Sequence, residues 1–510
     1  MSVLQRISIT LFLMATLNGC SSLPEEIDHP YEPQVTLSKS TLSELSDMYS
    51  LEHSSQESSA VLLQDTGWDA LSQRLALIET AEQSIDIQYY IWNSDESGHY
   101  LASRLIKAAD RGVQVRVMLD DINLNEREDL LTTLNSHPKI EIRIFNPTPS
   151  RNGVSKWLSF LGDFSRLNRR MHNKSFTVDG ALSVVGGRNI GDEYFDLSDE
   201  INFRDRDVLV MGPVVDDIQT SFVEYWNSRW SYPVELLGGK ASPDFPALDE
   251  ILTPQYKNYP ALPEGNQVAK LFLQDAMSEM TWVKARYISD KPVPVDSDNT
   301  DEPKATAIML AELANQSKQE IVLESAYLIF DDSQLEALQN LTSNGIEIKA
   351  LTNSMVSNDL IANHSGYAGR RQDMLEHGMQ LFELKPNSLL CEESTKDKSK
   401  CAPTTAYGLH TKSVVFDEQI AGIGSFNFNL RSTYLNTESV LVIEDKRIAE
   451  KLAADMELAM NEDNSWYLKV SEGDVTWHSG SQVWDSEPKT GQWERFQSWF
   501  LQLLPIEKYL

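Results

Sequence analysis

One residue pattern suited to phosphate chemistry occurs twice in this chain of 510 residues. Both copies follow H-x-K-x4-D-x6-G-[GS]-x-N without a gap, and a sequence of ordinary composition does not produce that twice by chance. Histidine attacks phosphorus or carries a proton, while lysine and asparagine hold phosphate oxygens. The copies are His172, Lys174, Asp179, Gly186 and Asn189, and His410, Lys412, Asp417, Gly424 and Asn427.

The duplicated set predicts one site for a phosphate diester, formed where two halves of the chain meet. Side chains alternate along a strand, so a histidine and a lysine two residues apart face the same side. One neutral histidine attacks phosphorus to give a phosphohistidine, and the other, protonated, gives the leaving alcohol its proton. The phosphate oxygens are then bound by Lys174, Lys412, Asn189 and Asn427, with Arg188 as an extra contact in the first copy alone.

Each imidazole needs an acceptor on its far ring nitrogen to hold its orientation. The candidates are Asp205 and Glu438, because each lies shortly before a Val-Leu-Val segment in its half of the chain. The motif carboxylates Asp179 and Asp417 are grouped with the catalytic residues. The Asp-Gly pair that begins at Asp179 is, however, more typical of a tight hairpin turn.

The segments around each motif repeat as well, which predicts an α/β fold made of two similar domains. A strand-like, a helical and a second strand-like segment follow one another at 84–92, 101–109 and 113–119, and again at 320–330, 334–341 and 346–353. This order predicts mixed sheets flanked by helices. We expect domains that pair as a pseudo-two-fold dimer within one chain, at 59–265 and 266–462, followed by an extension at 463–510.

The paired motif resembles that of the phospholipase D superfamily, from about residue 60 to residue 460. The segments MHNKSFTVDG…GGRNIGDEYF and LHTKSVVFD…GSFNFNLRSTYLNTE are most similar to the bacterial cardiolipin synthase branch, in particular its C type. The resemblance implies one site between the halves and covalent catalysis that requires no metal or other cofactor. It also implies that His172 is the nucleophile and His410 the acid and base, although the near-symmetry would let either serve.

The first residues predict export into a bacterial envelope. An apolar run at 7–17 is too short to span a bilayer comfortably and is typical of a signal peptide. The sequence Leu-Asn-Gly-Cys resembles a lipobox, which predicts a signal peptide at 1–19 and lipidation of Cys20. An ordinary signal peptide is the alternative. Residues 20–58 then form a flexible tether, and Ser21 favours the outer membrane, with the inner membrane as the alternative. The protein is expected to face the periplasm.

The remaining cysteines, Cys391 and Cys401, lie close together in a polar stretch. In an exported protein such a pair predicts a loop disulfide, with two free thiols as the alternative. The chain has no spacing of cysteine and histidine that is typical of a metal site.

Charge and aromatic residues indicate the partner. The net charge of −32 repels nucleic acid, so phospholipids at a membrane surface are the expected partners. Two stretches rich in aromatic and apolar residues, at 151–174 and 493–504, are candidates for membrane contact. The first is locally basic, and contact with anionic headgroups explains it as well as lining of the site does. For the second, packing on the protein's own core is the slightly better interpretation.

These observations predict a membrane-anchored phosphatidyltransferase. The leading hypothesis is that a phosphatidyl group passes from phosphatidylethanolamine or phosphatidylglycerol to a histidine, and then to phosphatidylglycerol, which gives cardiolipin. If water accepts the group, the protein is a phospholipase D. An exported nuclease fits the acidic charge less well, and a lipid-binding protein with a vestigial site fits two intact motifs less well. We expect a monomer with an internal pseudo-dimer.

Overall fold

The computed structural model describes residues 23, 27, 31–34, 38–52, 58–124, 127–148, 164–241, 259–292, 302–395, 397–504 and 507–509. Within these ranges the chain forms two halves of similar design, each a mixed sheet covered by helices. The predicted signal peptide, Cys20 and much of the predicted tether lie outside the described residues. Residues 151–163 of the basic aromatic stretch lie outside them too.

The first half starts with helix α1 (Thr41–Glu52) and alternates strands with helices. Its further elements are β1 (Ser59–Gln64), α2 (Gly67–Thr80), β2 (Ser84–Tyr89), α3 (Glu96–Asp110), β3 (Gln114–Asp120), α4 (Glu128–Asn135), β4 (Ile140–Phe145), α5 (Phe164–Leu167), β5 (Ser175–Val178), β6 (Leu182–Gly186), β7 (Ile201–Arg204), β8 (Asp207–Met211), α6 (Val214–Trp226), β9 (Ser231–Pro233) and α7 (Asn266–Ser278).

The second half repeats this order and ends with a hairpin and a helix. Its elements are β10 (Thr281–Ser289), α8 (Ala305–Gln316), β11 (Glu320–Ser325), α9 (Asp332–Ser343), β12 (Glu347–Asn353), α10 (Ile361–Glu376), β13 (Gln380–Leu384), α11 (Leu390–Ser394), β14 (Ala406–Leu409), β15 (Lys412–Phe416), β16 (Ile420–Gly424), α12 (Leu430–Tyr434), β17 (Ser439–Glu444), α13 (Lys446–Met460), β18 (Ser465–Ser471), β19 (Asp474–Ser479), β20 (Gln482–Trp484) and α14 (Gln492–Gln502).

The two halves share one continuous sheet of 18 strands. The strand order is β9-β4-β3-β2-β5-β6-β8-β1 in the first half and β10-β17-β16-β15-β11-β12-β13-β18-β19-β20 in the second, and the halves meet where β1 pairs antiparallel with β10. In each half, three parallel strands adjoin the antiparallel strand that follows the His-x-Lys motif, β5 or β15. The prediction of two similar α/β domains is confirmed.

Local sequence signals explain where the strands and helices lie. Strand β2 is buried along its whole length and lies inside the sheet, between β3, which is parallel to it, and β5, which is antiparallel. Five helices begin at a side chain that accepts a hydrogen bond from the first turn, namely Thr66 before α2, Asp95 before α3, Asp331 before α9, Asn429 before α12 and Asp445 before α13. Such caps satisfy N–H groups that the helix itself leaves free. They fix the residue at which each helix starts.

The boundary between the halves differs from the predicted one at 265–266. Helix α7 follows that point, yet its buried residues Ala269, Leu273 and Met277 pack in the core of the first half, against α2. The repeat begins again at β10, the equivalent of β1. The boundary therefore lies between α7 and β10.

The C-terminal residues belong to the second half and are not a separate extension that starts at 463. Strand β18 pairs with β13 as β9 pairs with β4 in the first half. Helix α14 packs against α10, with Ser498 buried. Its other face exposes Trp493, Phe496, Trp499 and Phe500, each by about half or more of its surface. Contrary to the interpretation of the sequence, the apolar face of this stretch does not pack on the protein's own core, although the opposite face packs on α10.

A strand pair and a buried charged cluster connect the halves close to the motifs. Strands β7 and β14, one from each half, form a parallel pair. The Glu324 carboxylate of the second half accepts hydrogen bonds from Arg204 (3.1 Å) and Arg206 (2.9 Å) of the first half. All three side chains are buried. Because a buried charge without its partner is strongly destabilising, this cluster holds the halves in one relative position.

Candidate active site

His172 and Lys174 lie just before strand β5, and His172 contacts the second half of the chain. The His172 backbone N–H donates to the carbonyl oxygen of Thr437 (2.9 Å), and His172 Nδ1 donates to Glu438 Oε2 (2.8 Å). Lys174 Nζ donates to the carbonyl oxygen of His172 (2.8 Å). Two consecutive residues of the second half therefore position the first histidine.

His410 and Lys412 form the equivalent set from the second half. The His410 backbone N–H donates to the carbonyl oxygen of Arg204 (2.8 Å), and His410 Nδ1 donates to the Asp205 carboxylate. Lys412 Nζ donates to the carbonyl oxygen of His410. Two consecutive residues of the first half therefore position the second histidine.

The contacts are crossed, so that each half orients the histidine of the other half. Because a carboxylate only accepts, Nδ1 carries the proton in both rings, and Nε2 keeps its lone pair. Among the described residues, neither Nε2 atom has a hydrogen-bond partner. Burial raises the pKa of Glu438 and Asp205, but the histidine that each one contacts and the nearby lysines outweigh burial, so both pKa values are lowered and both carboxylates are ionised.

Burial sets the protonation states of the basic groups. It lowers the pKa of His172 to about 4 and the pKa of His410 to about 3, so both rings are neutral near pH 7. It also lowers the pKa of Lys174 to about 7 and the pKa of Lys412 to about 8. Desolvation penalises the charged form of a base, and a bound anion would oppose that effect.

The four basic groups also influence one another electrostatically. The charge of Lys412 adds to the lowering of the His172 pKa, and the charge of Lys174 adds to the lowering of the His410 pKa. Lys412 also lowers the pKa of Lys174. The geometry agrees, because His172 Nδ1 also lies 3.0 Å from the carbonyl oxygen of Ser425, which belongs to the second motif. The paired motifs thus converge on a single buried, basic site.

The two motif asparagines differ in their contacts. Asn189 Oδ1 accepts a hydrogen bond from the Ile91 backbone N–H (3.2 Å). Asn427 Oδ1 is buried and has no hydrogen-bond partner among the described residues. Buried polar atoms are nearly always paired, so an unpaired one in a basic pocket indicates a position for ligand. Phosphate binding by both asparagines stays a prediction. The side-chain amide oxygen of Asn427 has no partner among the described residues, whereas that of Asn189 already accepts a hydrogen bond.

Arg188 is turned away from phosphate. Its buried guanidinium donates to the backbone carbonyl oxygens of Gln64 (2.7 Å), Asp65 (2.9 Å) and Tyr194 (3.1 Å), and it lies 3.7 Å from the Asp207 carboxylate. All three of its nitrogen atoms are used within the first half. The expectation that Arg188 adds a phosphate contact is therefore corrected: it is a structural residue.

The motif aspartates lie at the far ends of β5 and β15 from the histidines. Asp179 has a left-handed φ of 51° and accepts hydrogen bonds from the backbone N–H groups of Gln83 (2.8 Å) and Ser84 (3.0 Å). Asp417, with φ 53°, accepts three backbone N–H groups just before and at the start of β11. Their grouping with the catalytic residues is corrected, and the turn-forming interpretation agrees with the geometry.

Replacing Asp179 by alanine is expected to lower stability and leave the chemistry intact. Backbone N–H groups lose their acceptor and alanine is strained at positive φ, so we expect the free energy of unfolding to fall by about 2–4 kcal/mol. Denaturant unfolding measures this change. The control Asp179→Asn keeps an acceptor and tolerates the left-handed backbone, so it should lose less. Loss of turnover in correctly folded Asp179→Ala protein would return this residue to the catalytic set.

Two tyrosines beside the histidines were not singled out from the sequence. The Tyr90 ring meets the His172 ring edge-on, with ring centroids 4.7 Å apart, and the Tyr194 ring meets the His410 ring in the same way at 5.1 Å. Burial raises the pKa of Tyr90 to about 12, so it is neutral. Tyr90 lies in the strand-like segment 84–92, one residue after β2 ends, and Tyr194 lies in a short 3₁₀ helix (Asp192–Tyr194). Neither pattern indicates an approach to a histidine of the site.

The residue directly after each motif glycine lies against the carboxylate that orients a histidine. Ser425 occupies the [GS] position of the second copy, and its hydroxyl donates to Glu438 Oε2. At the equivalent position of the first copy, a side chain on Gly187 would overlap the Asp205 carboxylate. The carboxylate that orients each histidine therefore explains this position of the pattern. In the second half the serine hydroxyl donates to that carboxylate, and in the first half only glycine leaves room for it.

Other predicted features have the following places in the structure. Cys391 and Cys401 are joined by a disulfide. In the basic aromatic stretch, Arg170 is buried and donates to Asp120 Oδ1 (3.1 Å), which makes it an internal contact.

Across the residues that the structure describes, no cluster of His, Cys, Asp and Glu side chains is suited to a metal ion. In the same ranges, no helix has the length and apolar character needed to cross a membrane.

Comparison with known proteins agrees with this geometry. The family described as "Cardiolipin synthase, PLD-like domain" matches residues 75–226 and 310–459, one match in each half. Cardiolipin synthase C of Escherichia coli K12 is 36% identical, over 86% of this chain and 93% of its own length. An uncharacterized protein of Helicobacter pylori J99 is 31% identical over 93% of both chains.

A solved structure agrees with the fold. The phosphatidylserine synthase of Haemophilus influenzae Rd KW20 superposes with a TM-score of 0.56 at 12% identity, over 91% of this chain and all of that one. At that identity the likeness concerns the fold alone. The duplicated domain matches and the relative in Escherichia coli show the family: the chain belongs to the phospholipase D-like cardiolipin synthases.

Proposed function

We propose that this protein makes cardiolipin by passing a phosphatidyl group from one phospholipid to His172, as a covalent phosphohistidine, and then to phosphatidylglycerol. The crossed histidine–carboxylate contacts beside two buried lysines carry the proposal. They supply a nucleophile, an acid and base, and positive charge for a phosphate diester within one site. The similarity to cardiolipin synthase C of Escherichia coli supports this product.

In the first step, Nε2 of His172 attacks phosphorus. The P–N bond forms while the bond from phosphorus to the headgroup oxygen breaks, and His410 Nε2–H gives that oxygen its proton. The two lysines hold the non-bridging oxygens as their charge develops. The anionic diester opposes the effect of burial and raises the pKa of His410, so that the ring holds a proton once substrate is bound.

In the second step, the acceptor hydroxyl of phosphatidylglycerol attacks the phosphohistidine. His410 takes the hydroxyl proton through Nε2, the new P–O bond forms, and the P–N bond breaks. His172 returns to its neutral state and His410 to its protonated state. The sum of both steps is exchange of one alcohol for another on phosphorus, with no net change in proton count.

Hydrolysis is the second candidate, because water in place of the acceptor hydroxyl gives phosphatidic acid through the same steps. Purified protein mixed with vesicles of phosphatidylglycerol and phosphatidylethanolamine distinguishes the two. We expect cardiolipin and free headgroup alcohol by lipid mass spectrometry, with neither formed by His172→Ala. Phosphatidic acid without cardiolipin would select the phospholipase D reaction, and cleavage of plasmid DNA that depends on His172 would select a nuclease.

The alkaline side of the pH profile is expected to report the lysines. Lys174 and Lys412 bind phosphate only when protonated, and their pKa values in the free enzyme are about 7 and about 8. We therefore expect kcat/KM for bis(p-nitrophenyl) phosphate, whose leaving group does not need the proton of His410, to fall as pH rises through this range. Bound diester raises both lysine pKa values, so the fall in kcat should begin at higher pH. Coincident alkaline limbs for kcat and kcat/KM would contradict this assignment.

We also propose that Cys20 carries the lipid anchor of a periplasm-facing lipoprotein in the outer membrane, and that the exposed aromatic face of α14 contacts the lipid surface. The chain after α14 returns to the second half, where Arg431 of α12 donates to the carbonyl oxygen of Tyr509 (2.9 Å). Tryptophan and phenylalanine favour the interface between water and lipid.

Replacing Trp493 and Phe496 by serine is expected to weaken vesicle binding severalfold in a flotation assay. Their side chains are largely exposed, so the fold should not change. Activity on vesicles should fall, while activity on a soluble phosphodiester stays at the wild-type level. Undiminished vesicle binding would remove α14 from the membrane-facing surface.

A further inference from the structure

The second half contains an apolar cavity of about 430 Å³ between α8, α9 and the sheet, which we call the α8–α9 cavity. Most of its lining is aliphatic or aromatic, and includes Leu310, Leu323, Leu338, Phe416 and Phe426. Protein interiors hold few voids larger than a water molecule. Ligand pockets span roughly 300–1,000 Å³ and are mainly apolar, so this cavity has the size and lining of a ligand site.

The first half provides an internal comparison, because the same unit is closed there. Helices α2 and α3, the equivalents of α8 and α9, pack against each other, and α7 covers α2 so that nearly all of its residues are buried. Helix α8 buries only Thr306, Leu310 and Leu313. The fold therefore does not require an opening between these helices, and the opening is a property of the second half.

The cavity reaches the catalytic motif of its own half. Phe426 and Phe428 line it, and they flank Asn427, whose amide oxygen is buried without a partner among the described residues. Thr433 also lines it and follows Ser432, whose hydroxyl donates (2.7 Å) to the carboxylate that orients the first histidine. One end of the cavity thus lies one residue along the chain from two groups of the active site.

We propose that the α8–α9 cavity binds one acyl chain of the phospholipid whose phosphate lies between the two histidines. This inference rests on the proposed function and names a substrate subsite for it. An acyl chain is apolar along its length and is joined covalently to the phosphate, so a cavity that starts beside Asn427 is placed to receive it. A polypeptide segment fits the lining less well, because its backbone N–H and C=O groups would find few partners there.

Filling the cavity tests the proposal through chain-length preference. Ala311 lines the cavity and is exposed at its opening, so Ala311→Trp should fold normally. The matched control is Ala305→Trp, at an exposed alanine of the same helix outside the lining. We expect Ala311→Trp to lower kcat/KM about tenfold or more for dioleoyl-phosphatidylglycerol and to leave the value for dihexanoyl-phosphatidylglycerol unchanged. Ala305→Trp should change neither value.

A photoreactive lipid locates the chain independently of turnover. Wild-type protein is irradiated with phosphatidylglycerol that carries a diazirine near the end of one acyl chain, and adducts are mapped by peptide mass spectrometry. We expect adducts in residues 305–343, lost in Ala311→Trp and kept in Ala305→Trp. Adducts elsewhere, or a chain-length preference that Ala311→Trp does not alter, would overturn the proposal. Cavity adducts without transfer to any acceptor would instead overturn the proposed function and leave the subsite standing.

Discussion

Replacing either His172 or His410 by alanine is expected to reduce phosphatidyl transfer by at least about 10³-fold, and the double variant is expected to lose little more. The two imidazoles act in one reaction, so loss of either one stops the cycle. Each ring is fixed by a carboxylate of the other half, and the charges of both lysines help to lower the pKa of each ring. Rates with phosphatidylglycerol vesicles, measured for both single variants and the double variant, test this directly. Losses that multiply in the double variant would show two independent sites.

A substrate with a good leaving group separates the two roles. Bis(p-nitrophenyl) phosphate needs little help from a general acid, so its first step should survive in His410→Ala and fail in His172→Ala. The second step still needs a base, so a burst of one p-nitrophenol per enzyme, followed by a mass increase on the peptide that contains His172, is expected for His410→Ala. A burst in His172→Ala, with the added mass on His410, would exchange the two assignments.

The motif and the α/β repeat were predictable because both are local. The spacing of His172 and Lys174 along one strand, and its repetition at His410 and Lys412, required no knowledge of the tertiary fold. Strand and helix segments before each motif followed from periodicity, and β2, α3 and β3 lie where that periodicity placed them. The likeness of the two halves then indicated a shared site, because a duplicated unit commonly pairs with its copy.

The predictions that failed depend on contacts that form only in the folded protein. Arg188 follows the motif glycines, so sequence alone placed it near phosphate, but its partners are carbonyl oxygens at the end of β1. The amphipathic pattern of α7 does not say which half it covers, and Ala269 and Leu273 pack on the first. The pattern of α14 likewise leaves open what its apolar face contacts, and Trp493 is exposed. Long-range packing decides all three.

Replacing Glu438 by glutamine is expected to slow transfer by about 10²–10⁴-fold without unfolding the protein. Ser432 Oγ (2.7 Å) and Asn436 Nδ2 (3.4 Å) both donate to Glu438 Oε1. Among the described residues, Oε2 receives only His172 Nδ1 and the Ser425 hydroxyl, which can accept as well as donate. The oxygen of glutamine would therefore be held at the Oε1 position, and its NH₂ group would face His172 Nδ1. That NH₂ group donates, which moves the ring proton to Nε2. His172 then lacks the lone pair that attacks phosphorus.

Because each half orients the histidine of the other half, we expect Asp205→Asn to have a different defect from Glu438→Gln. Asp205 holds His410, so the lost function is acid and base catalysis, and bis(p-nitrophenyl) phosphate should recover the first step as it does for His410→Ala. It should not recover the first step of Glu438→Gln. Melting temperatures close to wild type for both variants would exclude loss of the contact between halves as the cause. If the good leaving group rescued both variants equally, or neither, the carboxylates would not act through separate histidines, and the division of roles between the two halves would fail.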